Sequence, residues 1–168
     1  LLVSIILARL MEPDTYGTLA MVMVFTSILQ VFVDSGLGVS LIQKKDADDL
    51  DFSTVLFANI GISVFLYAIM FFVAPYIAEF YHNTQLTDIV RVLCITLIVS
   101  AIKNVQQSYI SRELQFRKFF YASTIATLGS GIIGIVMAYW DYEIWALVIY
   151  HLANIIINTI VLWVTAGW

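Results

Sequence analysis

Residues 52–75 read FSTVLFANIGISVFLYAIMFFVAP, a run without a single charged side chain. As a helix rising 1.5 Å per residue it would be about 36 Å long, which exceeds the ~30 Å hydrocarbon thickness of a bilayer. Similar apolar runs lie on both sides of it. The predicted membrane spans are 17–42, 52–75, 88–110, 118–140 and 144–165, and residues 1–10 read as the tail of a sixth that starts in mid-run. Composition agrees, with 61% hydrophobic and 12% charged residues, about half the roughly 25% charge of a soluble domain. The expected fold is an all-α membrane protein. It is an antiparallel transmembrane helix bundle of five complete spans plus the end of a sixth, because short connections make consecutive helices antiparallel neighbours.

No positively charged segment precedes the first run, as a secretion signal would require. With an abrupt start and an abrupt stop after the last span, residues 1–168 are read as part of a longer polytopic protein. The formal net charge of −4 is carried by few groups and says little about partners. No basic patch of the kind that binds nucleic acid is present. Cys94 is the sole cysteine, so no disulfide framework or cysteine metal site is expected within the chain.

The loops read as RLMEPDTYG, QKKDADDLD, PYIAEFYHNTQLTD, SRELQFRK and WDYE in order. Pro13 and Gly17 are expected to punctuate the first reversal. Asp51 or Ser53 is the expected cap of the second complete span, and Thr87 or Asp88 that of the third. Loops 43–51 and 111–118 hold Lys44, Lys45, Arg112, Arg117 and Lys118, against only Arg9 and Arg91 on the other side. Lysine and arginine bias places the first set in the cytoplasm. Tyr76, Phe80, Tyr81, Trp140, Tyr142 and Trp145 suit the opposite interface, where aromatic rings gather.

Polar residues inside membrane spans are functional candidates by default. On the 88–110 helix, Thr96, Ser100, Lys103, Asn104, Gln107 and Ser111 recur at helical spacing on one face. Such a face lines a hydrated path or bonds to another helix. Lys103 is either a charge in a cavity, where it would attract an anion, or a snorkelling anchor about two turns from the headgroups. Asn59, Ser63 and Tyr67 form a second stripe, and His151, Asn154 and Asn158 a third; both also fit interhelical hydrogen bonding. His151 lacks companions at metal-ligand spacing, and no metal or cofactor site is expected. Ser123, Thr127, Gly131, Gly134 and Ala138 make a small-residue stripe, read as close helix packing. Asp34, followed by Ser35, Gly36 and Gly38, is either a proton or cation site or the partner of a basic group on a neighbouring helix. The DADDLD segment (46–51) has the look of a magnesium-binding carboxylate cluster, but no second cluster faces it, and it reads as solvated loop charge. Without a nucleophile and base pairing or a phosphate-cradling loop, the chain does not read as an enzyme.

LARLMEPDTYG, VFVDSGLGVSLIQKKD, FSTVLFANI, SRELQFRK and WALV together resemble, in order and spacing, the N-terminal half of the polysaccharide transporter family. These are O-antigen and exopolysaccharide flippases of the multidrug/oligosaccharidyl-lipid/polysaccharide exporter superfamily. The resemblance covers nearly the whole chain. It implies that this bundle is one lobe of a two-bundle transporter. Such a protein moves polyprenyl-diphosphate-linked oligosaccharide across the bacterial inner membrane by alternating access. The implied partners are that lipid-linked oligosaccharide, membrane lipid, and polymerase or other glycan-assembly membrane proteins. The family pattern places a Gly-rich turn before WALV, where this chain has Asp141 and Glu143. On this reading Arg9 and Lys103 attract the diphosphate, while Asp34, Asn59, Asn104, Gln107 and Asn158 line the route. The rival readings are a cation-coupled multidrug antiporter, with Asp34 as its coupling site, and a membrane polymerase or ligase.

Overall fold

The computed structural model describes residues 2–34 and 37–167, and among these the regular structure is helical, with no strand. The helices are α1 (Leu2–Leu10), α2 (Pro13–Val33), α3 (Leu37–Gln43), α4 (Asp49–Phe80), α5 (Gln85–Leu93), α6 (Ile95–Arg112), α7 (Phe116–Tyr139) and α8 (Ile144–Ala166). Taking α2 with α3 and α5 with α6, five stretches are long and apolar enough to cross a membrane. The all-helical membrane bundle expected from the sequence is the fold observed.

Its polarity is inverted relative to a water-soluble domain. Phe57, Phe72 and Val164 are more than 70% exposed, whereas Asn59, Ser63, Gln106 and Ser130 are essentially buried. Apolar side chains facing outward are at no disadvantage in lipid, and polar ones turn inward to find partners. The main packed core joins Leu7 of α1, Val22 and Val33 of α2, Ala74 of α4, Ile89 and Leu93 of α5, and Leu147 of α8.

The helix ends differ from the expectation in instructive ways. Pro13 is the first residue of α2, where its missing N–H is one the helix could not use anyway. Gly17 lies inside that helix, so the reversal is shorter than expected. α4 is capped by Asp48, not by Asp51 or Ser53. The Asp48 carboxylate accepts from the Asp51 N–H at 3.0 Å, and the Asp51 carboxylate accepts from the Asp48 N–H at 3.2 Å. This reciprocal box satisfies two orphan donors at once, and Ser53 is already inside the helix. α5 begins at Gln85, with Thr87 and Asp88 inside it; the Asn83 side-chain oxygen accepts from the Gln85 N–H at 3.1 Å.

Two helix ends differ from the expected spans: one expected at Pro75 is absent, and one not expected occurs at Cys94. Pro75 does not end the second complete span; α4 runs through it to Phe80. A proline removes the N–H that would bond the carbonyl four residues earlier, here that of Phe71. The Arg91 guanidinium on α5 supplies the replacement, donating from Nε and Nη2 at 3.4 Å each while lying 4.0 Å from the centre of the Phe71 ring. The third span, in contrast, is broken at Cys94. There the Leu97 N–H bonds the Cys94 carbonyl at 3.0 Å, a tightened turn, and the Thr96 hydroxyl donates to the Leu93 carbonyl at 2.5 Å.

α7 and α8 pack closely through small residues, but in a shifted register. Ala122, Ala126, Ser130, Gly131 and Gly134 are buried, whereas Ser123 is exposed. A Cβ on Gly131 would lie 2.7 Å from Val3 Cγ2, so α1 rests on α7 at that point.

Candidate functional site

α2, α6 and α8 surround a depression of about 410 Å³. α2 contributes Thr26, Ser27 and Gln30, and Asp34 is its C-cap. α6 adds Thr96, Ser100 and Lys103, and α8 adds His151, Asn154 and Asn158. Each set recurs at three- or four-residue spacing, which stacks side chains on one helix face. Asn154 Nδ2 also donates to Ser130 Oγ at 3.1 Å, which fixes it against α7.

A second depression, of about 270 Å³, lies between α3, α4 and α6. Asp34, Asn59, Asn104, Gln107, Ser108 and Ser111 provide its polar lining. Gly38 lets α3 lie against α6 here, since a Cβ on it would sit 2.6 Å from Ser108 Oγ. Asn59 is 1% exposed, and its Oδ1 has no hydrogen-bond partner among the described residues.

Asp34 belongs to both depressions. Its carboxylate accepts from Gln30 Nε2 at 3.1 Å and from Asn104 Nδ2 on α6. An ionised carboxylate can accept about four hydrogen bonds, so these two leave capacity on either side. Of the residues that follow Asp34, Ser35 and Gly36 lie outside the described residues, and Gly38 is in the first turn of α3.

Below the second depression, the two basic loops are tied together. Arg112 donates from Nη1 to the Ala47 carbonyl at 2.8 Å and from Nη2 to the Lys45 carbonyl at 2.9 Å. Lys44 Nζ lies 2.5 Å from Asp51 Oδ2. The hydrogen bond to Asp51 holds the Lys44 ammonium above the usual lysine range. The acids of DADDLD therefore start a helix and anchor a lysine.

Of the residues singled out by sequence, Asp34, Lys103 and Asn158 line the first depression, and Asp34, Asn59, Asn104 and Gln107 the second. Arg9 is exposed on the last turn of α1 and lines neither. Sequence reasoning passed over Thr26, Gln30 and Ser108. The first two were detectable, because Thr26, Gln30 and Asp34 repeat every fourth residue along α2. So was Ser108, four residues after Asn104 and three before Ser111 on α6. Chemically, the arrangement offers amides, hydroxyls, one carboxylate and one lysine to a polar solute held inside an apolar slab.

Comparison with known proteins agrees with this picture. The chain is 22% identical over 156 residues to the lipopolysaccharide biosynthesis protein WzxC of Escherichia coli K12, covering 93% of this chain and 31% of that protein. It is equally similar, with the same coverage, to the succinoglycan biosynthesis transport protein ExoT of Rhizobium meliloti. To the teichuronic acid biosynthesis protein TuaB of Bacillus subtilis it is 33% identical over 91 residues, 54% of this chain and 19% of that one. The chain thus spans less than a third of the length of each of these relatives. No solved structure gives a significant match. The family relationship runs from the middle of α1 through all later helices, over residues 6–168: the chain belongs to the polysaccharide biosynthesis protein family.

Proposed function

We propose that this chain is one lobe, the N-terminal transmembrane bundle, of a flippase that moves polyprenyl-diphosphate-linked oligosaccharide across the bacterial inner membrane. The observation that carries the reading is the polar groove along α2, α6 and α8, with half-buried Lys103 and exposed Asp34 in it, on a bundle whose surface elsewhere carries apolar side chains such as Phe57, Phe72 and Val164. A glycan and a diphosphate cannot cross hydrocarbon unpartnered, because burying polar groups without hydrogen bonds, or charge without a counter-charge, is prohibitive. A wet, partly cationic groove between two lobes removes most of that barrier, and rocking of the lobes changes the side to which it opens.

In this reading loops 43–51 and 111–118 face the cytoplasm, following the positive-inside rule. Lys103 attracts the diphosphate, while Asp34, Asn59, Asn104, Gln107 and Asn158 hydrogen-bond the polar cargo. Arg9, on the last turn of α1 and outside both depressions, is the second charge that attracts the diphosphate. The protein works as a transporter, not an enzyme, beside the polymerase and other membrane proteins of glycan assembly.

The test is Lys103→Gln in the full-length protein, expressed at the wild-type level in a deletion strain. Export of the surface polysaccharide should fall at least tenfold while lipid-linked oligosaccharide accumulates untranslocated. Undiminished export removes Lys103 from this role, and a drug-resistance phenotype with normal polysaccharide points to an antiporter.

A further inference from the structure

The two depressions differ in chemistry, and this carries a finer assignment that rests on the transport reading above. The first holds the Lys103 ammonium together with Asp34 and the His151 imidazole. The second contains no cationic side chain. Its polar lining is one carboxylate, three amides and two hydroxyls. A phosphate group brings acceptors and negative charge, which suits the first and is repelled by Asp34 where no lysine offsets it. A sugar ring brings neutral hydroxyls, each a donor and an acceptor together, which pair with amides, hydroxyls and a carboxylate without needing a counter-charge.

The second depression also has an unanswered acceptor. Asn59 Oδ1 is shut away from solvent without a donor among the described residues, a state that a hydroxyl from a ligand would relieve. Between the two regions stands the Asp34 carboxylate, held by Gln30 and Asn104 and shared by both linings.

We propose that the depression between α3, α4 and α6 is a subsite for the neutral sugar of the cargo, separate from the diphosphate region at Lys103, and that Gln107, Ser111 and Asn59 set glycan preference there. Gln107 is the most accessible of the three, being exposed on α6, and so is the first to meet an incoming ring.

The experiment measures binding of two probes to the full-length protein in nanodiscs: undecaprenyl diphosphate without sugar, and the same lipid carrying an oligosaccharide. The Gln107→Leu, Ser111→Ala double variant should bind the glycosylated lipid about tenfold more weakly and the sugar-free lipid within twofold of wild type. Retained binding of the sugar-free lipid shows that the variant is folded. Lys103→Gln should weaken both probes alike. Equal weakening of both probes by the double variant, or no weakening of either, overturns the separate sugar subsite. Wild-type protein that binds neither lipid overturns the transport reading itself, and this inference with it.

Discussion

Where α7 meets α8 the facing residues are small: a methyl on Gly134 would lie 3.0 Å from Tyr150 Cβ, and one on Gly129 would lie 3.0 Å from Ile157 Cδ1. Where α2 meets α6 the facing residues are amides, hydroxyls and charges. The α5–α6 span in that second region is interrupted at Cys94. Glycine lets backbones come together and leaves no room for a solute. Polar side chains hold the helices apart around a space, and at the Cys94 break a side-chain hydrogen bond stands in for a backbone one, as the Thr96 hydroxyl donates to the Leu93 carbonyl. The α7–α8 pair is therefore a closely packed frame, and the α2–α6 side encloses a polar space.

The sharpest way to break this comparison is to damage one residue on each side and read stability and transport separately. Gly134→Val forces Cβ and two methyls against Tyr150 Cβ, an atom that moves only with its own backbone. Overpacking of this kind costs about 1–3 kcal/mol, and the upper end is expected. Gln107→Leu on the groove side changes an exposed residue, so its stability should stay within about 0.5 kcal/mol of wild type. Equilibrium unfolding of the full-length protein in mixed micelles measures both. If the two variants unfold alike, the frame and the polar side are not distinct.

A second test asks whether Arg91 is a membrane-edge charge or a repair of α4. Removing it in Arg91→Met loses two long hydrogen bonds to the Phe71 carbonyl and the contact with the Phe71 ring. With donors at 3.4 Å, a loss of about 1 kcal/mol is expected, toward the lower end for charge-assisted bonds and cation–π contacts. Pro75→Ala restores an N–H to bond that carbonyl, and in this background Arg91→Met should cost clearly less. A double-mutant cycle measures the coupling. Additive effects would mean that Arg91 and Pro75 act independently.

The same comparison explains how much the sequence revealed. Spans were legible because hydrocarbon thickness imposes a length that few other constraints imitate. The polar face of α6 was legible because its residues recur at helical spacing. Pro75 misled because its usual effect is local, whereas its remedy, Arg91, comes from another helix. Cys94 gave no signal: the break there depends on which donor takes the Leu93 carbonyl. The small-residue stripe was found but read one position off in its first half, since Ala122 and Ala126 satisfy the pattern as well as Ser123 and Thr127, and only packing against α8 decides between them. Arg9 and Lys103 share a charge sign, but only Lys103 lines a depression.

The smallest effect concerns the turn that feeds the frame. Asp141 and Glu143, in the loop between α7 and α8, have φ of 56° and 41°, and Glu143 combines its value with ψ of −119° as the N-cap of α8, without a side-chain cap bond. A residue with a Cβ held in such a sparsely populated region costs about 1–3 kcal/mol. Glycine adopts it freely but loses more freedom on folding, by roughly 0.5–1 kcal/mol. Glu143→Gly should therefore be a little more stable than wild type, by about 0.5 kcal/mol if the lower strain figure holds. Glu143→Ala isolates the cause. It removes the carboxylate but keeps the Cβ, so it should gain nothing, and the Gly-minus-Ala difference reports the strain itself. The strain sits in the turn that joins the closely packed α7–α8 pair. If the alanine and glycine variants match in the same unfolding assay, φ at position 143 is not what limits the turn.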